Sequence, residues 1–415
     1  MKRIDDLDRR TLAKLGREYM LGAQLNSRAG YAGLQMNHGP EYYKDVAIDN
    51  WMAASPIYTE RMQRAMGFAG GSDVPTIFKG LQLEVGFSHQ YFDTHFEVAS
   101  AEEGFFWLKS CGPLLEVEPR GEEAVRVMCH DIEDPTFDAT AVATNPRARV
   151  RPVHRPPRAS VDRAPHCKWR VFIDHEAEAL TETPLTYRLR ETRLAQVPVT
   201  RSDARSNEGM DYYDGEVLEQ LQLELFSRAA LAHICKELAI QAHLLTHSMA
   251  MAIADRLGED AALTNAEFQM QGSAWPISER LCRSLGLSGG GLDAIACVLS
   301  VHPWLCPEEY LACRIDRAED ESVLLAFDAG PAASEESPYG LYQLLASGRD
   351  AGLEALVRGI DPRAVVIPVE GQAMAWRITL EEGAELRDEP LSVQIAKGTL
   401  AYSTQFHDHI ALLQG

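Results

Sequence analysis

The sequence predicts an α+β protein made of two copies of one unit, each a helical N-terminal half followed by a small, mostly antiparallel sheet. Three observations predict it: long segments with apolar residues at helical spacing, short β-like runs after them, and the return of both in the same order in the second half of the chain. The copies run from about residue 7 to 195 and from about 226 to 401. Residues 8–18 (DRRTLAKLGRE) lie over 227–237 (SRAALAHICKE), so each copy opens on an amphipathic helix. Residues 56–68 (PIYTERMQRAMGF) match 276–287 (PISERLCRSLGL) with one residue dropped, and here proline is expected to start a helix that Gly67 or Gly286 ends.

The later halves align as well. Asn145-Pro146-Arg147-Ala148 corresponds to Asp361-Pro362-Arg363-Ala364, Trp169-Arg170-Val171 to Trp376-Arg377-Ile378, and Pro184-Leu185-Thr186 to Pro390-Leu391-Ser392. Strands are expected at 91–98, 104–109, 147–153, 168–173 and 185–189, and in the second copy at 322–327, 364–369, 375–380 and 391–395. The divisions are 1–197 for the N-terminal repeat, 198–222 for a polar linker and helix start, 223–403 for a degenerate repeat, and 404–415 for a tail with His407 and His409. Two joined copies are expected to pack as a pseudo-twofold pair; further homo-oligomerisation is left open.

A net charge of −21 opposes binding to nucleic acid or to an anionic membrane. No apolar run reaches the roughly 18 residues of a spanning helix, and the N-terminus has no signal-like apolar region, so a cytoplasmic protein is expected. Eight cysteines in 415 residues do not make a disulfide framework, so the thiols are expected to be reduced.

The chemistry-bearing residues collect in the first copy. Cys111, Cys129 and Cys167, with His154, are the ligand types a Zn²⁺ or Fe ion prefers. In the second copy Asp328, Leu345, Met374 and Glu370 stand at the corresponding places, as they would if one site were kept in one copy and lost in the other. Strand alternation sets Cys167 on the face of Trp169 and turns His166 away, which suits His166 to proton transfer. His130 and Asp131 are the other candidates for catalysis. Arg147, Arg149, Arg151, Arg155 and Arg158 form a basic patch that could clamp a small anionic substrate, or simply a solvated face. Two rival readings stay open: Cys129 as a thiolate nucleophile, and the thiols as plain core residues.

Trp51 and Phe105-Phe106-Trp107 are read as core, and Gly289-Gly290-Gly291 as a flexible connection rather than a phosphate loop. His243 and His247 face one way on the long helix of the second copy, but without a third ligand they are read as a satisfied, half-exposed pair.

The order Cys111, Cys129, Asn145-Pro146-Arg147-Ala148, Pro156-Pro157, His166-Cys167-Lys168-Trp169-Arg170 is similar to that of poorly characterised bacterial proteins related to the L-2-amino-thiazoline-4-carboxylic acid hydrolase family. The first helix and the Pro-Ile-x-x-Glu-Arg segments resemble the same family, so the similarity covers most of each copy. It implies cysteines at 111, 129 and 167 in a Cys-rich branch, with two more near Pro152 and Arg155 that this chain lacks. It implies hydrolysis of a C=N bond by analogy of fold. The expectation is therefore a metal-dependent hydrolase of a C–N or C=N bond in a small anionic substrate. The alternatives are a non-catalytic metal- or ligand-binding accessory protein and a metal-free cysteine hydrolase.

Overall fold

The computed structural model of the chain describes residues 3–160, 162–201, 206–318 and 321–383. Its first half runs α1 (Arg9–His38), α2 (Tyr43–Ala65), α3 (Val74–Gln82), β1 (Phe92–Val98), β2 (Glu103–Cys111), α4 (Gly112–Val117) and α5 (Glu122–Arg126). It continues through a π-helical segment (Val127–Ile132) into α6 (Glu133–Val142), then β3 (Ala148–His154), β4 (Cys167–Ile173) and α7 (Pro184–Arg190). The second half runs α8 (Arg228–Leu257), α9 (Glu259–Ser284), α10 (Leu292–Leu299), α11 (Glu308–Leu311), β5 (Cys313–Ala318), β6 (Ser322–Phe327), α12 (Leu341–Ala346), α13 (Ala351–Arg358), β7 (Ala364–Pro368) and β8 (Ala375–Leu380). The class is α+β, with helices ahead of two four-stranded antiparallel sheets ordered β1-β2-β4-β3 and β5-β6-β8-β7.

Local chemistry explains the helix starts. The Asp8 carboxylate accepts the Thr11 N–H at 3.0 Å ahead of α1, and the Ser227 hydroxyl accepts the Ala230 N–H at 3.3 Å ahead of α8. Gly67 and Gly286 lie just beyond α2 and α9 with φ of +74° and +70°, the left-handed region in which a helix end favours glycine. Gly33 of α1 allows a close crossing with α9: a Cβ there would stand 2.6 Å from the Phe268 ring.

Several expectations are corrected. Pro56 and Pro276 sit inside α2 and α9 rather than at their starts. Pro56 has no N–H to offer the Met52 carbonyl, and the Thr186 hydroxyl reaches that carbonyl at 3.4 Å instead. Residues 185–189, expected as a strand, belong to α7, which Thr183 caps by accepting the Thr186 N–H. Cys129, His130 and Asp131, outside every expected strand, lie in the π-helical segment. β5 was not expected. The expected strand at 391–395 and the tail histidines fall outside the described residues. The described part of the linker is irregular yet anchored: Tyr213 is buried, donates from its hydroxyl to Gln82 at 2.6 Å and accepts the Leu218 N–H at 3.0 Å.

One apolar cluster joins the long helices of both halves and the second sheet. A separate cluster covers one face of the first sheet, where Phe78, Phe96, Phe106 and Trp169 pack with Cys111, Cys129 and Cys167. Among the described residues, no helix is long and apolar enough to cross a membrane.

Candidate functional site

The first half holds a cleft of about 620 Å³ between α1, α2, the first sheet and the α4 to α6 region. α1 supplies Gln24, Arg28 and Tyr31, spaced by four and three residues and so on one helix face. Trp51, Ser55 and Tyr58 of α2 line the opposite wall by the same spacing. Met128, Ile132, Glu133, Thr136 and Phe137 line it from the π-helical segment and α6. The extra residue per turn in a π-helical segment shifts which side chains reach the cleft, a device often found at functional sites.

The polar groups are few. The Arg28 Nε donates to Glu116 Oε2 at 2.8 Å and to the Tyr91 hydroxyl at 2.9 Å, its Nη1 donates to Gln24, and its Nη2 has no hydrogen bond among the described residues. Arg120, exposed, also lines the cleft. Glu133 opens α6 with a side chain that makes no hydrogen bond or ion pair among the described residues. Burial pushes its pKa up to about 8, against the pull of Arg155, and Asp134 adds to the rise. Glu84 is 3 % exposed, and burial holds its carboxyl far above the usual range.

Glu133 also faces the thiols. Cys111 ends β2, Cys167 begins β4 opposite Leu108, and Cys129 sits in the π-helical segment one helical turn before Glu133. All three are buried. Burial is the main cause of a raised pKa at each, and the Glu133 charge is the next for each; Cys129 also feels Cys111 and Cys167. The structure thus brings together Cys111, Cys129 and Cys167, as the sequence suggested, with Glu133 beside them.

His154 is placed elsewhere. It lies partly exposed at the end of the edge strand β3, opposite Lys168, where burial and then the Arg163 and Lys168 charges lower its pKa. A register shift between Pro152 and His154 separates it from the regular ladder. His166 is a tie rather than a free acid or base. Its Nδ1 accepts the Cys111 N–H at 3.1 Å, its own N–H donates to the Leu108 carbonyl at 2.8 Å, and its pKa is lowered to about 4 by burial and then by Arg158. His130 Nε2 contacts the Pro156 carbonyl at 2.7 Å, and Asp131 lies on the surface 3.5 Å from Lys44.

The basic patch does not converge on the cleft. Arg147 donates to the carbonyls of His175 and Ala177, and Arg149 to those of Ala148 and Glu178. Arg151 pairs with Asp138, Arg155 with Asp134 and Arg158 with Glu118. Each spends its guanidinium on holding a loop or strand end. The cations in the cleft are instead Arg28 and Arg120, which, like Glu84, Glu116 and Glu133, are not among the site residues expected from the sequence.

Three thiols and a carboxylate are a chemically fitting donor set for Zn²⁺ or Fe. As placed they are not a ligand shell: among the described residues, no three His, Cys, Asp or Glu side chains are arranged to hold a metal ion. In the second half, His243 and His247 are fully buried rather than half-exposed. His243 Nε2 contacts the Cys306 carbonyl at 2.9 Å and His247 Nδ1 the Ser337 hydroxyl at 3.0 Å. No protein-family model, curated protein or solved structure matches the chain.

Proposed function

We propose that the cleft of the first half is the active site of a hydrolase acting on a C–N or C=N bond of a small, anionic, largely apolar substrate. One observation carries this reading: Glu133 stands at the wall of an aromatic-lined cleft with no hydrogen bond to occupy its carboxyl. Such a group keeps its proton near neutral pH and can give it to a departing nitrogen as water adds to the carbon; the carboxylate left behind can take a proton from the attacking water. The substrate carboxylate would sit against Arg28 Nη2 and Arg120, in place of the clamp expected at Arg147 to Arg158. The resemblance to the thiazoline-carboxylate hydrolases agrees with this chemistry and remains part of the proposal.

A metal-dependent form is favoured by a second observation, the gathering of Cys111, Cys129 and Cys167 around Glu133. The three thiolates would hold Zn²⁺ or Fe, in place of the set with His154, with Glu133 beside the ion as acid and base rather than as a ligand. A bound ion would supply Lewis-acid polarisation of the scissile group. The nucleophile reading is disfavoured, because the neighbours of Cys129 include Glu133 and two thiols, all of which oppose a thiolate.

We also propose that the halves form a pseudo-twofold pair with the second as scaffold. The reading is supported by reciprocal buried ion pairs, Glu18 with Arg280 and Glu237 with Arg61, between positions that align in the repeat.

The test is a panel of small carboxylate-bearing amides, cyclic amides and thiazolines, followed by release of amine or thiol. Turnover of a panel member that falls by roughly 10²–10⁴-fold in Glu133→Gln is expected, with Arg151→Ala near wild type. Turnover untouched by Glu133→Gln, or none with any compound, overturns the reading.

A further inference from the structure

Glu84 is not needed for the bond-breaking step, yet it is the most unusual group in the cleft. It precedes a short turn (Val85–Phe87) and is buried, and its Oε2 has no hydrogen-bond partner. A buried carboxyl oxygen without a donor costs about 1–3 kcal/mol, which a ligand that brings a donor would recover. A second oxygen in the same cleft is in the same state: Glu116 gives Oε2 to Arg28 while Oε1 has no partner. The cleft therefore holds two buried carboxyl oxygens that make no hydrogen bond, with the Thr59 hydroxyl beside Glu84 and the Tyr91 hydroxyl beside Glu116.

The surroundings of Glu84 are aromatic. A Cβ built on Gly86 would lie 2.9 Å from Glu84 Oε1 and 3.7 Å from the edge of Trp51, so a residue without a side chain keeps the space between them clear. The Tyr58 ring lines the same cleft. The carboxyl is also held in place. The Val85 N–H donates to Gln241 Oε1 at 2.9 Å, Gln241 Nε2 donates to the Leu83 carbonyl at 3.3 Å, and Gln24 Nε2 donates to the Val85 carbonyl at 2.7 Å. Residues on both sides of Glu84 are thus fixed by α1 and by α8 of the other half.

A fixed carboxyl that a cation would ionise on entry, a second carboxyl oxygen without a hydrogen bond and π faces that favour positive charge form a receptor for a group rich in N–H donors. We propose that the Glu84 end of the cleft binds an ammonium or amidinium group of the substrate, so that the substrate carries a nitrogen cation as well as the anionic group held by Arg28 and Arg120. This rests on the reading of the cleft as the substrate site, but not on Glu133 or on hydrolysis. A cation entering the site would supply the donors that Glu84 and Glu116 lack.

The experiment uses the full chain and two probes of one shape, phenethylamine and phenethyl alcohol, with binding followed by calorimetry and by tryptophan fluorescence. Saturable binding of the amine, at least about tenfold tighter than the alcohol, is expected from a charge-assisted hydrogen bond. Glu84→Gln removes the preference while the melting temperature holds or rises, and Glu133→Gln leaves it intact. Equal binding of the two probes by wild type, no saturable binding of either, or a preference that survives Glu84→Gln overturns the proposal. The wild-type comparison alone can overturn it even if the variant does not fold. Loss of turnover in Glu133→Gln is read separately, so hydrolysis and amine binding fail independently.

Discussion

Glu18 of α1 and Arg280 of α9 form an ion pair at 2.6 Å with both side chains 4 % exposed, bridging the two halves of the chain. The Glu18 carboxylate also accepts from Gln90 at 3.0 Å and Ser284 at 3.1 Å, so its oxygens are well satisfied. The counterpart, Arg61 with Glu237, is as deeply buried, and Arg61 also donates to the Ala195 and Val197 carbonyls. Truncating one partner leaves the other charged and dry. Glu18→Ala or Glu237→Ala should cost about 3–5 kcal/mol, read as a lower urea midpoint with an unchanged slope. The apolar double replacement Glu18→Leu with Arg280→Met should cost less than either single change. A loss under about 1 kcal/mol for the single variants would mean that water reaches the pair.

Glu133 predicts a stability trend with a definite sign. Its ordinary pKa is 4.5, and in the folded chain without a bound ion it rises to about 8. Between these values the native state holds a proton that the unfolded state has lost, so the contribution is full below pH 4.5 and is lost as pH climbs through 8. Unfolding free energy measured at pH 5, 6.5 and 8 should fall more steeply in wild type than in Glu133→Gln. Parallel curves would show that Glu133 is hydrated.

The α+β class was legible in the sequence because helices and strands follow from periodicity, and comparing the copies is what singled out the three cysteines. The cap residues Asp8 and Ser227 stood at the aligned helix starts. His154 was misread because strand alternation says which face a residue takes, not that an edge strand ends in an irregularity. The arginines were misread because spacing cannot reveal partners: Asp134, Asp138 and Glu118 come from other elements. Glu133 was missed because no helix was expected around Cys129; one helical turn makes Cys129 and Glu133 neighbours. A signal for Arg28 was present, since the register that sets Asp8 over Ser227 also sets Gln24 over His243 and Arg28 over His247. The histidines drew notice in the second copy, while their counterparts line the cleft.

The thiols of the first half should resist alkylation. Burial and the nearby Glu133 keep Cys111, Cys129 and Cys167 protonated, and a protonated thiol is a poor nucleophile. Cys282 and Cys297 are less buried, so iodoacetamide followed by peptide mass analysis should label them first. Cys129 labelled fastest would revive the nucleophile reading. Transition metal in protein purified without chelator, lowered by Cys111→Ser and Cys167→Ser, supports the metal-dependent form. Content under about 0.2 equivalents, unchanged by those variants, removes it.

Gln241 tests whether the second half works as a scaffold for the first. Its side chain touches no substrate in the proposed site, but its amide grips the backbone on both sides of Glu84. A second tie of the same kind runs from the Ser248 hydroxyl to Asn50 Oδ1 at 2.6 Å, with Asn50 donating in turn to the Tyr31 hydroxyl at 2.9 Å. Gln241→Leu leaves the Val85 N–H and the Leu83 carbonyl buried without these partners, at a cost of about 1–3 kcal/mol for each unsatisfied group. The chain can relieve that cost by letting the turn shift, and Glu84 then loses its fixed aim. The expected result is a lower melting temperature and a weaker amine-over-alcohol preference, with the affinity for the alcohol nearly unchanged. A merely structural role would weaken both probes alike, so the ratio of the two affinities separates a scaffold that aims Glu84 from one that only fills space.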